Sequence, residues 1–105
     1  NQGDNKTGGE GTSGFQLDFG TFGKRKIYNF NLPEYPEGVY KEIDIKLRFT
    51  IFPDGSVGKI SPLVKADTRL ENAAINSLRL WRFEPLPKNQ KSEQTAFITF
   101  PYRLK

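Results

Sequence analysis

The stretch that decides the fold is residues 42–51, which read EIDIKLRFTI. Apolar and polar side chains alternate strictly along it. This period-two pattern predicts a β-strand that buries one face and exposes the other. Because a slip of one residue would turn every apolar side chain to solvent, the pattern also sets the register of the strand. The stretch contains neither Pro nor Gly, so we expect it at the centre of a sheet.

The segment that follows, residues 52–56, reads FPDGS and predicts a hairpin turn, because Pro presets its own φ and Asp-Gly accepts turn geometry. A second strand is predicted over residues 57–64. It contains Gly58 and Pro62, and Pro cannot donate a ladder hydrogen bond. We therefore expect this strand to lie at the edge of the sheet or to carry a bulge.

A helix is predicted to begin at Asp67 or Thr68, both of which are good N-caps, and Thr68 and Glu71 have the spacing of a capping box. Its apolar stripe, at steps of three and four residues, consists of Leu70, Ala73, Ala74, Ser77, Leu78 and Trp81. The helix must end by Glu84, because two prolines follow. We expect Trp81 to pack in the core under the helix end.

The last strand is predicted over residues 95–105, where alternation returns. It reaches the far side of the central strand by a right-handed crossover through the helix. The predicted fold is therefore α+β: a three-stranded antiparallel sheet of order 2-1-3 with one helix packed on one face, plus an extended N-terminal arm.

Residues 1–14 contain no apolar side chain and five of the 10 glycines, which predicts a flexible Gly-rich linker. The domain is then residues 15–105, with an arm and lead-in at 15–38 and a core at 39–105. Phe15, Leu17 and Phe19 alternate in the arm, which we expect to form short strands along the domain. With no initiator Met and no signal-like start, the sequence is interpreted as a piece of a longer protein.

Composition argues against an enzyme. Cys, His and Met are absent, so Cys or Ser-His nucleophiles, disulfides and Cys/His zinc sites are excluded, and no catalytic, metal or cofactor site is predicted. The net charge of +4 permits an anionic partner without requiring one. The run Lys24, Arg25 and Lys26 is interpreted as solvated, with phosphate or lipid binding as the lesser alternative. The outward face of the central strand has no aromatics, so nucleic acid is not a predicted partner.

The last strand is the feature that indicates a function. It is long and apolar, and an unprotected strand edge can accept a strand from another chain. Pro101 lacks an N–H, so we expect its backbone nitrogen to face the free edge. Backbone groups of alternate residues point to the same side of a strand, so those of the residues two and four positions before it and two after it should face this edge as well. These candidate partner-binding residues are Phe97, Thr99, Pro101 and Arg103.

Several motifs together resemble one family. They are residues 49–57 (FTIFPDGSV), 70–74 (LENAA) and 78–85 (LRLWRFEP), followed by a closing alternating strand. The chain from about residue 33 to 105 resembles the carboxy-terminal domain of TonB-type energy transducers.

The resemblance implies a periplasmic domain of an inner-membrane-anchored protein. Such a domain captures the Ton-box peptide of an outer-membrane receptor as an added strand and transmits force from inner-membrane proton-channel partners. Tyr35 and Pro36 match the family's Tyr-Pro pair near the docking surface. The leading alternative is a periplasmic envelope scaffold or assembly domain of the same fold that transmits no force. Nucleic-acid binding and a homodimer are further open alternatives.

Overall fold

A computed structural model describes residues 11–12 and 14–104 of the chain. The strands and the helix, in chain order, are β1 (Gly11–Thr12), β2 (Gln16–Asp18), β3 (Ile27–Asn29), β4 (Ile43–Ile51), β5 (Val57–Pro62), α1 (Thr68–Arg79), β6 (Arg82–Phe83) and β7 (Gln94–Arg103). A 3₁₀ turn, Gly20–Phe22, follows β2. In the described part of the chain, no helix has the length and apolar character needed to cross a membrane.

The alternating stretch forms β4, and it lies between β5 and β7 with antiparallel pairing on both sides. Its inward side chains, Ile45, Leu47, Phe49 and Ile51, are buried beneath α1 and form the core with apolar residues of β7. The α+β class and the 2-1-3 order of these three strands are confirmed. In the described residues β5 pairs only with β4, and its register shifts between the pairings of Phe49 and Ile51, so it is both an edge strand and bulged.

The sheet has more strands than predicted. β1 and β2 pair antiparallel with β7 on the side away from β4, and β3 and β6 form a separate two-stranded sheet. The prediction of a three-stranded sheet is therefore wrong in the number of strands. The physical reason is that β7 would otherwise present an unpaired row of N–H and C=O groups, and the alternating arm can satisfy them.

The predicted linker over residues 1–14 falls mostly outside the described residues, which exclude 1–10 and 13. Within it, Gly11 and Thr12 lie opposite Arg103 and Tyr102 of β7. The boundary between linker and domain stays a prediction.

The helix begins at the first of the two predicted caps, so Thr68 is its first residue, and the predicted capping box of Thr68 and Glu71 is wrong. Asp67 is the N-cap, and its Oδ1 accepts hydrogen bonds from the backbone N–H groups of Arg69 (2.9 Å) and Leu70 (3.3 Å). The Glu71 carboxylate accepts from the N–H of Ala66 at 2.5 Å. The two bonds to Asp67 satisfy donors that a helix N-terminus leaves without internal partners, and the bond from Ala66 links the chain before the cap to the first turn.

The helix ends earlier than its apolar stripe suggests. Bonds of the i→i−3 type from Leu80 to Ser77 (3.2 Å) and from Trp81 to Leu78 (3.0 Å) tighten the last turn. Trp81 follows the helix, which corrects the prediction that it continues the helical stripe. The extended backbone of β6, which pairs with β3, requires the helix to stop before Arg82.

Trp81 is nevertheless buried as predicted, with 0% of its surface exposed. Four phenylalanine rings surround it at centroid distances of 5.0 Å (Phe15), 5.4 Å (Phe30), 5.9 Å (Phe100) and 6.2 Å (Phe83). Its Nε1 donates to the carbonyl of Asn31 at 2.9 Å, so the indole is both packed and hydrogen bonded. Two of these rings and the carbonyl belong to the arm.

We expect Trp81→Ala to lower the free energy of unfolding by about 3–5 kcal/mol, because it removes a fully buried aromatic side chain and leaves a cavity. Urea or thermal unfolding followed by circular dichroism measures the change. Leu80→Ala is the matched control, since the adjacent Leu80 is 65% exposed. A Trp81→Ala protein that melts within a degree or two of the parent would contradict the packing described above.

The N-cap also predicts a pH dependence. Lys41 Nζ at 3.0 Å and the Arg69 guanidinium at 3.3 Å hold the pKa of Asp67 well below its usual range. Between the ordinary Asp pKa of about 3.9 and that lower value, the unfolded chain binds a proton that the folded chain does not. The contribution of Asp67 to stability is therefore complete above about pH 4 and is lost as the pH falls further.

Asp67→Asn should keep an N-cap but remove this titration. Denaturation at pH 6 and pH 3 should then show a smaller loss of stability on acidification than in the parent. An equal loss in both proteins would show that Asp67 contributes nothing to the acid sensitivity.

Candidate functional site

Four of the predicted partner-binding residues form one row on β7. Phe97, Thr99, Pro101 and Arg103 alternate with Ala96, Ile98, Phe100 and Tyr102, which are buried on the helix side of the sheet. Strand geometry places the four on the opposite, open face. We call the side of β7 away from β4 its outer edge.

The row has a charged neighbour on β4. Arg48 lies opposite Phe97, Lys46 opposite Thr99, and Asp44 opposite Pro101. The guanidinium of Arg103 donates to Asp44 Oδ1 at 2.8 Å and to the Tyr102 carbonyl at 2.7 Å. The Arg103 and Asp44 side chains are 45% and 42% exposed, so this ion pair orients Arg103 more than it stabilises the fold.

Tyr35 and Pro36 do not join this row. The ring of Tyr35 packs against that of Tyr102 at a centroid distance of 4.9 Å, and its hydroxyl donates to the Lys41 carbonyl at 2.5 Å. Tyr102 is buried on the core side of β7, which raises the pKa of its phenol, and its hydroxyl donates to the carbonyl of Glu34 at 3.3 Å. Glu34 and Tyr35 therefore lie near the carboxy-terminal end of β7, but on the helix side of the sheet and not on the open face.

The arm is the part of the site that the sequence did not locate. In β2, Gln16 lies opposite Thr99, Leu17 opposite Ile98 and Asp18 opposite Phe97. The outer edge of β7, expected to be free, is thus occupied by the protein's own chain. The alternation of apolar residues in the arm was a signal for a strand, but alternation does not indicate which edge a strand will join.

Arg25 is a second residue whose role the sequence did not indicate. The run of three cations predicts solvated side chains, which is wrong for Arg25, since only 7% of it is exposed while Lys24 and Lys26 are exposed. Its guanidinium donates to the Glu84 carbonyl (2.7 and 2.9 Å), the Phe52 carbonyl (3.1 Å) and Gln94 Oε1 (3.3 Å). Burial lowers the pKa of Arg25.

Arg25 fastens the arm to the first residue of β7. Gln94, which accepts from Arg25, also donates from its Nε2 to the carbonyl of Gly23 at 2.8 Å. The same guanidinium reaches the hairpin at Phe52 and the segment after the helix at Glu84. These contacts hold the chain in place directly after the turn that follows β2.

The chemistry that this arrangement offers is backbone pairing. A strand edge presents N–H donors and C=O acceptors at a regular spacing, which can bind an extended chain. Within residues 11–12 and 14–104, no three His, Cys, Asp or Glu side chains are grouped so that they could hold a metal ion.

Comparison with protein families gives one match. The family model described as Gram-negative bacterial TonB protein C-terminal matches residues 33–104. Comparisons with curated proteins and with solved structures gave no match. The matched range begins after the arm, so β2, β3 and Arg25 lie outside it.

We expect Arg25→Met to lower the free energy of unfolding by about 1–3 kcal/mol, because it leaves the buried Gln94 Oε1 and two partly buried carbonyls without their donor while keeping the aliphatic stem. Chemical denaturation measures this effect. Lys26→Met, which removes the same charge from an exposed neighbour, is the control and should change stability little. Equal effects of the two substitutions would show that only charge, and not the buried hydrogen bonds, is important here.

Proposed function

The chain belongs to the family of C-terminal domains of Gram-negative bacterial TonB proteins, which are periplasmic domains, and on this premise we propose that it is a receptor-docking module. It binds outer-membrane TonB-dependent receptors by adding their Ton-box peptide as a strand to the outer edge of β7. The module is not an enzyme. It transmits force that inner-membrane partners derive from the proton gradient, and so supports substrate import.

The observation that carries this proposal is the antiparallel pairing of β2 with residues 97–99 of β7. It supports the view that the outer edge has the backbone geometry to accept a strand of three or more residues. A peptide bound there would gain its affinity from main-chain hydrogen bonds and its specificity from side-chain contacts at alternate positions. Phe97, Thr99, Pro101 and Arg103 would meet the outward side chains of the peptide.

Tyr35 and Pro36 take a supporting role in this proposal. Tyr35 packs on Tyr102, whose neighbours in β7 are Pro101 and Arg103. Tyr35 therefore supports the carboxy-terminal end of the docking strand from the core side, and Pro36 is its neighbour in the chain. A load applied along an antiparallel pair is shared by all its hydrogen bonds in shear, so a firmly held β7 suits a module that pulls on a peptide.

The parity of β7 makes the proposal specific. The register between β4 and β7 runs without a shift from Ile43 opposite Tyr102 to Ile51 opposite Gln94. Pro101 has no N–H to donate, and if its nitrogen faced β4 a ladder hydrogen bond would be lost. We therefore expect its nitrogen to face the outer edge. The backbone groups of Thr99 then face outward as well, and those of Ile98 face β4.

We expect Thr99→Pro to leave the domain folded and to weaken capture of a Ton-box peptide by about tenfold or more, because it removes a donor from the docking edge. Ile98→Pro should unfold the domain, because it breaks the internal ladder with β4. Thermal melts of both variants and calorimetric titration of the folded one with a synthetic Ton-box peptide provide the measurement.

Thr99→Ala is the matched control, since it changes the side chain and keeps the N–H, and it should bind within about twofold of the parent. β2 also pairs at Thr99, so the comparison is made with Leu17→Ala present in both proteins to loosen the arm. If Thr99→Pro then leaves the peptide affinity unchanged, strand addition at this edge is not how the domain docks. Absence of Ton-box binding in the parent and in every folded variant would favour the envelope scaffold.

A further inference from the structure

The docking edge of this protein already holds a strand. Residues 16–18 pair with residues 97–99, and Gly11 and Thr12 pair with Arg103 and Tyr102, so five of the ten residues of β7 already have a partner on this edge. Any peptide that adds to this edge in the same place must compete with the arm. If the proposed function is right, β2 must leave the edge before a receptor peptide can pair there.

The arm is held on the edge through side chains as well as backbone. Leu17 lies opposite Ile98, whose side chain is buried on the helix side, so Phe15, Leu17 and Phe19 all point toward the core. The ring of Phe15 contacts Trp81 at 5.0 Å and Phe30 at 5.7 Å, and that of Phe19 contacts Phe83 at 6.2 Å. The three apolar side chains are only partly buried and cover the core from outside.

Glycines on both sides of β2 allow this strand to move separately from the chain that follows it. Gly14, Gly20 and Gly23 bracket β2 with φ angles of +126°, +67° and +89°, which glycine adopts at little cost. Beyond them the buried guanidinium of Arg25 fastens the chain to Glu84, Phe52 and Gln94. Residues before Gly23 can therefore leave the edge while the chain from Arg25 onward stays in place.

The pairing of β2 with β7 is also shorter than the pairing of β4 with β7. β4 and β7 pair over nine residues, from Ile43 to Ile51, whereas β2 pairs with β7 over three. A short strand with half-buried side chains opens at a lower free energy than a long central one. The arm is thus the part of the sheet that can be exchanged without loss of the core.

We propose that residues 15–19 are a built-in occupant of the docking edge, which an incoming extended peptide must displace and whose pattern of apolar side chains at alternate positions it must reproduce. This inference rests on the proposed docking at β7. The ligand class is an extended peptide with apolar residues at positions i, i+2 and i+4, which replace Phe15, Leu17 and Phe19 over Trp81 and Phe83.

Two consequences follow from this competition. The apparent affinity for a peptide is the intrinsic affinity multiplied by the fraction of molecules whose arm is off the edge. Weakening the arm should therefore tighten peptide binding, the opposite of what loss of a binding residue does. Exchange of the arm for a peptide also changes what covers Trp81, the one tryptophan of the chain, so its fluorescence reports the exchange.

A reversible lock tests the inference in the intact chain. Gln16 and Thr99 lie directly opposite each other, and because the backbone groups of Thr99 face this edge they form a hydrogen-bonded pair, with Cα atoms about 5.5 Å apart, within the range that a disulfide spans. The sequence contains no Cys, so Gln16→Cys combined with Thr99→Cys introduces a single thiol pair. Oxidation fixes the arm on the edge, and reduction of the same protein releases it.

The probes are a synthetic Ton-box peptide and a peptide copy of residues 14–20, GFQLDFG. Titrations followed by calorimetry and by Trp81 fluorescence should show binding of both peptides to the reduced protein. We expect the oxidised protein to bind each at least about tenfold more weakly. A second variant, Leu17→Ala, should bind both about tenfold more tightly than the parent, while the exposed Gln16→Ala stays within about twofold.

The outcomes separate this inference from the proposed function. Equal Ton-box affinity of the oxidised and reduced proteins overturns the inference and places receptor docking on another surface. Failure of the GFQLDFG peptide to bind the Leu17→Ala protein also overturns it. If GFQLDFG binds the reduced and Leu17→Ala proteins but the Ton-box peptide binds none, the arm occupies the edge as inferred and the receptor proposal is wrong.

Discussion

Burial of Trp81 is the interaction on which the rest of the structure depends, because three separate parts of the chain meet around it. Trp81 follows the end of α1. Its indole packs against Phe100 of β7 and against Phe15 and Phe30 of the arm, and it donates to the carbonyl of Asn31. An indole left open to solvent on one side would lose part of its packing and the partner of its N–H. The arm thus packs against the core and covers the indole, although the family match begins only at residue 33.

The second constraint is the edge of β7. A long apolar strand at the border of a sheet is open to pairing with other chains unless something covers it. Here β1 and β2 supply that cover, and the same unpaired groups that make cover necessary would make the edge suitable for a receptor peptide. Protection of the free domain and capture of a partner are then two uses of one set of backbone donors and acceptors.

Arg25 separates the two roles of the arm. From Arg25 onward the chain is held by the hydrogen bonds of the buried Arg25 side chain and by the Asn31 carbonyl at the indole, whereas the apolar residues before Gly23 rest on the edge with half-buried side chains. Loss of the contacts from Arg25 onward would destabilise the fold. Loss of the contacts before Gly23 would cost mainly the pairing of β2 with β7, and that difference is what makes exchange of this strand physically reasonable.

The sequence alone determined the elements whose pattern is local. Strict alternation from Ile43 to Ile51 required a half-buried central strand, Pro62 required an edge or a bulge, and Asp67 required a helix start, because each follows from side-chain period or backbone chemistry within a few residues. The row Phe97, Thr99, Pro101 and Arg103 followed from the same alternation. Only the tertiary structure decided that Trp81 lies beyond the helix, that Arg25 is buried, and that the arm pairs with the outer edge of β7. Those outcomes depend on partners 27 to 83 residues away in the chain, such as Phe52 for Arg25 and Thr99 for Gln16, and no local pattern specifies which distant group a buried donor or an alternating strand will meet.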